Sequence, residues 1–130
     1  DIIQDCGNSL NENIDIGQIE GGFIQGLGWL TCEELCFSQE GKLLTTGPST
    51  YKLPGSRDVP PIFNVKLLEN ADNDEKTIFR SKAVGEPPLL LAISHFLALK
   101  EAIKASLPSS KAELLNSPAT PSEILKAIYA

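Results

Sequence analysis

The chain has no methionine, position 1 included, so it is expected to begin at a processed or truncated end and to be a piece of a larger protein. Basic residues are outnumbered. Eleven Lys and Arg against 17 Asp and Glu leave a net charge of −6, with no electrostatic footprint for nucleic acid or an anionic membrane. No apolar run approaches the ~20 residues of a membrane span, and no signal-peptide pattern opens the chain. Cysteine is confined to Cys6, Cys32 and Cys36. An odd count without framework spacing argues against a disulfide scaffold and for a reducing, cytoplasmic setting. The single histidine, His95, lies on an apolar helix face with no second ligand at metal-binding spacing, which reads as structural or partly exposed. Cys32 and Cys36 read as a helix-end and a hairpin residue. Asp72, Asp74 and Glu75 lack the glycine and distal Glu of a calcium loop and read as a solvated turn. No metal site assembled from the chain's own ligands is expected.

What is present is globular: 42% apolar and 22% charged residues over 130 positions, enough for one domain with a real core. Asp15 and Gln18 in DIGQ have capping-box spacing, and Ile19, Phe23, Leu27 and Leu30 behind them form one apolar helical stripe. Gly21, Gly22, Gly26 and Gly28 interrupt that helix, each costing about 1 kcal/mol against Ala. Such a helix is expected where another backbone or a ligand packs very close. The opening DIIQDCGNSLN has strand-like residues but no partner run nearby. Residues 34–46 suggest a hairpin turning at 39–41, and 47–61 are too rich in Pro and Gly for regular structure. Residues 62–68 and 77–84 suggest strands. A main helix is expected from Pro87 to about Ser106, its apolar first half buried all round. Thr120, Pro121 and Glu123 mark the start of a short terminal helix. The sum is an α+β fold with two main helices, short strands and a short C-terminal helix.

Glu86 stands between Gly85 and two prolines at the start of the main helix, in SKAVGEPPLLLAISHF. Pro87 disfavours the α region for the preceding residue, which predicts an extended Glu86 held stiffly at a helix N-terminus. The helix dipole favours its ionised form while burial opposes it, the balance that tunes a general base. Spacing alone favours the plainer roles, capping or pairing with Lys82. Gln18 has a similar choice between a capping residue and a pocket amide facing a polar heterocycle. GQIEGGFIQGLG is no dinucleotide fingerprint, because no strand precedes it.

Together, DIGQIEGGFIQGLGWLTCEEL, GPSTYKLP, SKAVGEPPLLLAIS and SPATP resemble, in order and spacing, the xanthine dehydrogenase/aldehyde oxidase family of molybdenum hydroxylases. The resemblance covers essentially residues 1–130 and implies the C-terminal part of the molybdopterin-binding domain. GPSTYKLP followed by DVPPIFNV is more similar to the xanthine dehydrogenase branch. DCGNSLN resembles bacterial members, whose molybdenum part is a separate subunit. The resemblance implies that Glu86 is the general base beside the molybdenum. It also implies that Gln18 hydrogen-bonds the pyranopterin and that the Gly85 backbone lies at the cofactor. The implied cofactors are molybdenum with its pyranopterin (molybdopterin) here, and FAD and [2Fe-2S] clusters in other parts of the enzyme. The implied partners are a purine substrate (xanthine or hypoxanthine), the remainder of the molybdenum subunit and an iron–sulfur/FAD subunit. The residues that clamp the purine in this family are not among these 130, so the piece alone is expected to be inactive. An aldehyde oxidase or other molybdenum hydroxylase is the same-class alternative, and a non-enzymatic scaffold that kept the fold is the different-class one.

Overall fold

The computed structural model describes all residues, Asp1–Ala130. The regular elements are β1 (Ile2–Gln4), α1 (Glu12–Thr31), β2 (Val65–Leu67), α2 (Ile93–Ser106) and α3 (Pro121–Tyr129). Three short 3₁₀ segments lie at Ile78–Arg80, Pro87–Ala92 and Ala112–Leu114. The α+β class with two main helices and a short terminal one is as expected. No helix is long and apolar enough to cross a membrane.

Helix α1 begins earlier than its DIGQ signal predicts. Asn11 is the N-cap, its backbone extended at φ −158° and its side chain accepting from the Ile14 N–H at 3.3 Å. Asp15 is already occupied by the Ser9 hydroxyl, which donates to it at 2.5 Å. The capping box at Asp15 and Gln18 therefore does not form, and Gln18 lies mid-helix and exposed. The apolar stripe does form. Ile19, Phe23 and Leu27 are buried with Ile2, Cys6 and Ala92 in the first core cluster.

The partner of the opening strand comes from far along the chain. Strand β1 pairs parallel to β2 with Ile2 opposite Val65 and Gln4 opposite Leu67. A parallel pair requires a crossover, and α1 with the loop after it supplies one. The expected strand at 62–68 shrinks to three residues. Phe63 instead turns its ring toward Phe23, with centroids 5.4 Å apart. The hairpin at 34–46 is present in minimal form, as a bridge between Phe37 and Leu43.

The strand expected at 77–84 does not form. Phe79 and Arg80 adopt φ of 52° and 56° in a tight turn. The Thr77 hydroxyl and the Asn73 amide both donate to the Ser81 carbonyl, at 2.6 and 3.2 Å. Side chains that bond the local backbone in this way compete with a strand ladder.

The main helix also departs from expectation. Pro87 and Pro88 have no N–H to donate, and Pro87–Ala92 winds as a narrower 3₁₀ segment before α2 begins. Its apolar residues are not buried all round: Leu90 is 64% and Leu97 54% exposed, while Ile103 near the far end is buried. Ile103 joins Ala112, Leu115, Ala119 and Ala127 in a second core cluster under α3. Thr120 caps α3 as expected, accepting from the Glu123 N–H at 3.4 Å.

Candidate functional site: a glycine-lined helix and the Glu86 turn

Three of the five glycines within α1 mark places where other segments meet it. A Cβ added at Gly22 would sit 3.4 Å from the Gly85 carbonyl and the Pro88 ring. One added at Gly26 would overlap the Leu89 carbonyl, and one at Gly28 would overlap Pro54 and the Glu33 carboxylate. The 3₁₀ segment therefore lays its backbone against the helix, and the GPSTYKLP loop seats its last proline on the helix end. Tyr51 of that loop donates to Glu33 at 2.6 Å, a bond that pushes its phenol up from its ordinary pKa. The SPATP segment reaches the same end, with the Ala119 N–H donating to the Leu30 carbonyl at 2.7 Å. Helix α1, itself part of the first motif, is thus the hub on which the other three converge. The close approach predicted from the glycines is found at Gly22, Gly26 and Gly28 but not at Gly21, beside which no atom lies within 4 Å.

Glu86 is the N-cap of the 3₁₀ segment, with φ −84° and ψ −10°. This corrects the extended backbone expected before Pro87. The Glu86 carbonyl accepts from the Leu89 N–H at 2.9 Å, and closing that turn outweighs the modest preference set by proline. The Glu86 side chain is exposed and makes no capping hydrogen bond. Lys82 pairs instead with Asp5. Both plainer roles for Glu86, side-chain capping and pairing with Lys82, are therefore unfilled. Gly85 is also open, with no atom near the position a Cβ would take. Gln18 lies one helical turn before Gly22, so it shares the face that meets Gly85.

A carboxylate without partners, a bare glycine backbone and an exposed amide suit a polar group approached from outside the chain. None of the five principal cavities is lined by Gln18, Gly85 or Glu86. The site is an open face. His95, read as structural, borders a different cavity of about 220 Å³ with Cys32 and Asp58. Cys32 caps the end of α1 and Cys36 sits in the hairpin, as read. Cys6 is fully buried, and burial, helped by Asp15 and Asp5, pushes its thiol up. No three His, Cys, Asp or Glu side chains converge closely enough to hold a metal ion.

Residues 1–60 match the family model of the molybdopterin cofactor-binding domain. Over 133 aligned positions the chain is 54% identical to the xanthine dehydrogenase/oxidase of Felis catus, covering 98% of the chain and 10% of that protein. The chain belongs to the xanthine dehydrogenase family of molybdopterin cofactor-binding proteins. A second family member, the xanthine dehydrogenase of Dictyostelium discoideum, is 55% identical over 82% of the chain and 8% of its own length. The chain thus spans about a tenth of the length of the curated relatives it matches. Among solved structures it is similar to quinoline 2-oxidoreductase from Pseudomonas putida 86. The TM-score is 0.80 at 28% identity, over 98% of this chain and 15% of that one. The Cu,Mo-CO dehydrogenase shares the fold, with a TM-score of 0.75 at 19% identity over 96% of this chain and 15% of that one.

Sequence reasoning missed one part of this region, the ties between β1 and residues 80–82. The signal was present in DCG and SKAVGE, a strand-ending Asp and a Lys close to Glu86, but nothing in their spacing joins residues so far apart.

Proposed function

We propose that residues 1–130 form the C-terminal part of the molybdopterin-binding portion of a xanthine dehydrogenase. The complete, cytoplasmic enzyme oxidises hypoxanthine and xanthine to urate, with oxygen drawn from water. Each turnover replaces a purine C–H by C–OH, consumes one water and releases two electrons and two protons. The electrons leave through the iron–sulfur and flavin parts, which lie outside these residues. When bound, the molybdenum cofactor supplies the two-electron redox chemistry and a Lewis-acidic centre.

The chain's own residues have narrower tasks. The Glu86 carboxylate takes a proton from the oxygen that adds to the purine carbon. Gln18 offers its side-chain amide, both donor and acceptor, to the pterin. Gly85 has no side chain to hold the cofactor away from the backbone. The single observation that carries this reading is the state of Glu86, fixed through its backbone at a turn while its carboxylate is unengaged.

The test is Glu86→Ala in the complete enzyme. Molybdenum content and folding should persist while turnover of xanthine falls by at least the 10²–10⁴-fold typical of a lost general base. Turnover near wild type would remove Glu86 from the mechanism. A second reading, a molybdenum hydroxylase acting on another heterocycle or an aldehyde, is favoured by the structural similarity to quinoline 2-oxidoreductase. Faster turnover of such a substrate than of xanthine would select it.

A further inference from the structure

Glu86 has no side-chain partner, so its placement depends on what fixes the backbone around it. After Glu86, the 3₁₀ segment is pressed against Gly22 and Gly26 of α1. Before it, residues 80–82 are tied to residues 6–8, just past β1, by two backbone hydrogen bonds. The Lys82 N–H donates to the Cys6 carbonyl at 2.8 Å, and the Asn8 N–H to the Arg80 carbonyl at 3.1 Å. These two bonds make up the isolated bridge between Gly7 and Ser81. Gly7 is at φ 60°, and a Cβ there would collide with the Arg80 carbonyl, so only glycine permits this approach.

One side-chain pair spans the same junction. The Lys82 ammonium donates to Asp5 Oδ2 at 2.5 Å, while Asp5 Oδ1 accepts from the Gly7 N–H at 2.9 Å. The pair is partly withdrawn from water, with side chains 34% and 39% exposed. One carboxylate thus fixes both the left-handed turn at Gly7 and the side chain of Lys82. From Lys82 to Glu86 only Ala83, Val84 and Gly85 intervene, and Val84 packs against the first core cluster. A shift at Lys82 is therefore passed along a short tether to Glu86.

We propose that Asp5 and Lys82 are positioning residues for Glu86, their ion pair setting from β1 where the carboxylate stands. The proposal rests on Glu86 being the general base of the complete enzyme. Displacing a catalytic group by a fraction of an ångström to an ångström affects the chemical step far more than substrate binding, by as much as 10²-fold.

The experiment is steady-state xanthine turnover per molybdenum in the complete enzyme, with molybdenum content and thermal midpoint measured alongside. Asp5→Asn keeps an acceptor for the Gly7 N–H and removes only the charge. It should lower kcat roughly tenfold to a hundredfold with KM within about twofold. Lys82→Ala should do the same, and Lys82→Arg, which keeps the charge, should recover most of the loss. The decisive readout is non-additivity: Asp5→Asn combined with Glu86→Gln should be no slower than Glu86→Gln alone. The proposal is overturned if kcat per molybdenum is unchanged in Asp5→Asn, or if the two losses multiply. It is also overturned if activity falls only in step with molybdenum content, or if neither single variant folds, since the pair would then be purely structural. Wild-type turnover in Glu86→Gln is a separate outcome: it rejects the base assignment itself, and the positioning role with it.

Discussion

Two carboxylates near the same turn are held in opposite ways. Asp5 is engaged through both oxygens, and Lys82 together with the Gly7 N–H holds its carboxyl below the ordinary carboxylate range. Glu86 is engaged through its carbonyl alone. A fully bonded carboxylate is suited to structure, and an unbonded one at a fixed backbone position is available to a group from outside the chain. The depressed pKa of Asp5 has a pH consequence of definite sign. Its stabilisation is complete above the unfolded carboxylate value, near 4, and is lost as pH falls through the lower folded value. The gap in thermal midpoint between the wild type and Asp5→Asn should therefore be full at about pH 7 and shrink below about pH 4. A gap that stays constant down to about pH 3 would mean that the charge on Asp5 does not stabilise the junction.

At the scale of elements, α1 spends helix propensity to gain closeness. Its glycines are equivalent by propensity, each about 1 kcal/mol worse than Ala, but their surroundings differ. Gly26 lies under the Leu89 carbonyl, while Gly21 faces open space. Gly26→Ala should thus destabilise the fold by about 1–3 kcal/mol, the usual range for overpacking against backbone that cannot yield. Gly21→Ala should stabilise it by about 0.5–1 kcal/mol. Denaturant unfolding of the two variants checks both signs at once, and the reverse order would contradict the packing described here. The contrast between Gly21 and Gly26 was not legible in the sequence, since an α-helix repeats every 3.6 residues but says nothing of what lies opposite.

On the scale of the whole molecule, apolar surface is abundant. Leu90, Leu91, Ile93 and Leu97 are all exposed along the 3₁₀ segment and the start of α2. A contiguous exposed apolar face usually marks an interaction surface. The isolated chain should bind a hydrophobic dye and self-associate. Leu90→Lys with Leu97→Lys should reduce both effects in the isolated chain while impairing assembly of the complete molybdenum portion. Dye fluorescence and size-exclusion chromatography would follow the first, and molybdenum content of the complete enzyme the second. A double variant that assembles and loads normally would show that this face stays open in the whole protein.

By itself, the sequence determined what depends on near neighbours. The apolar stripe of α1, the hairpin near Gly41, the Thr120 cap and the stop of α2 at Ser106 all follow from spacing, caps and turn residues, which act over a few positions. Motif order was equally legible and carried the family resemblance, and with it the interest in Gln18, Gly85 and Glu86. Only the tertiary structure decided the rest. It paired β1 with β2 across α1 and the long loop after it, turned the expected strand at 77–84 into a tight turn, and wound Pro87–Ala92 as 3₁₀. Each of these is settled by contacts between residues far apart in sequence, where local preferences of a kilocalorie or less are overruled. The backbone of Glu86 is the plainest case. Its proline neighbour predicts an extended residue, and the bond to Leu89 beneath the glycines of α1 makes it a turn.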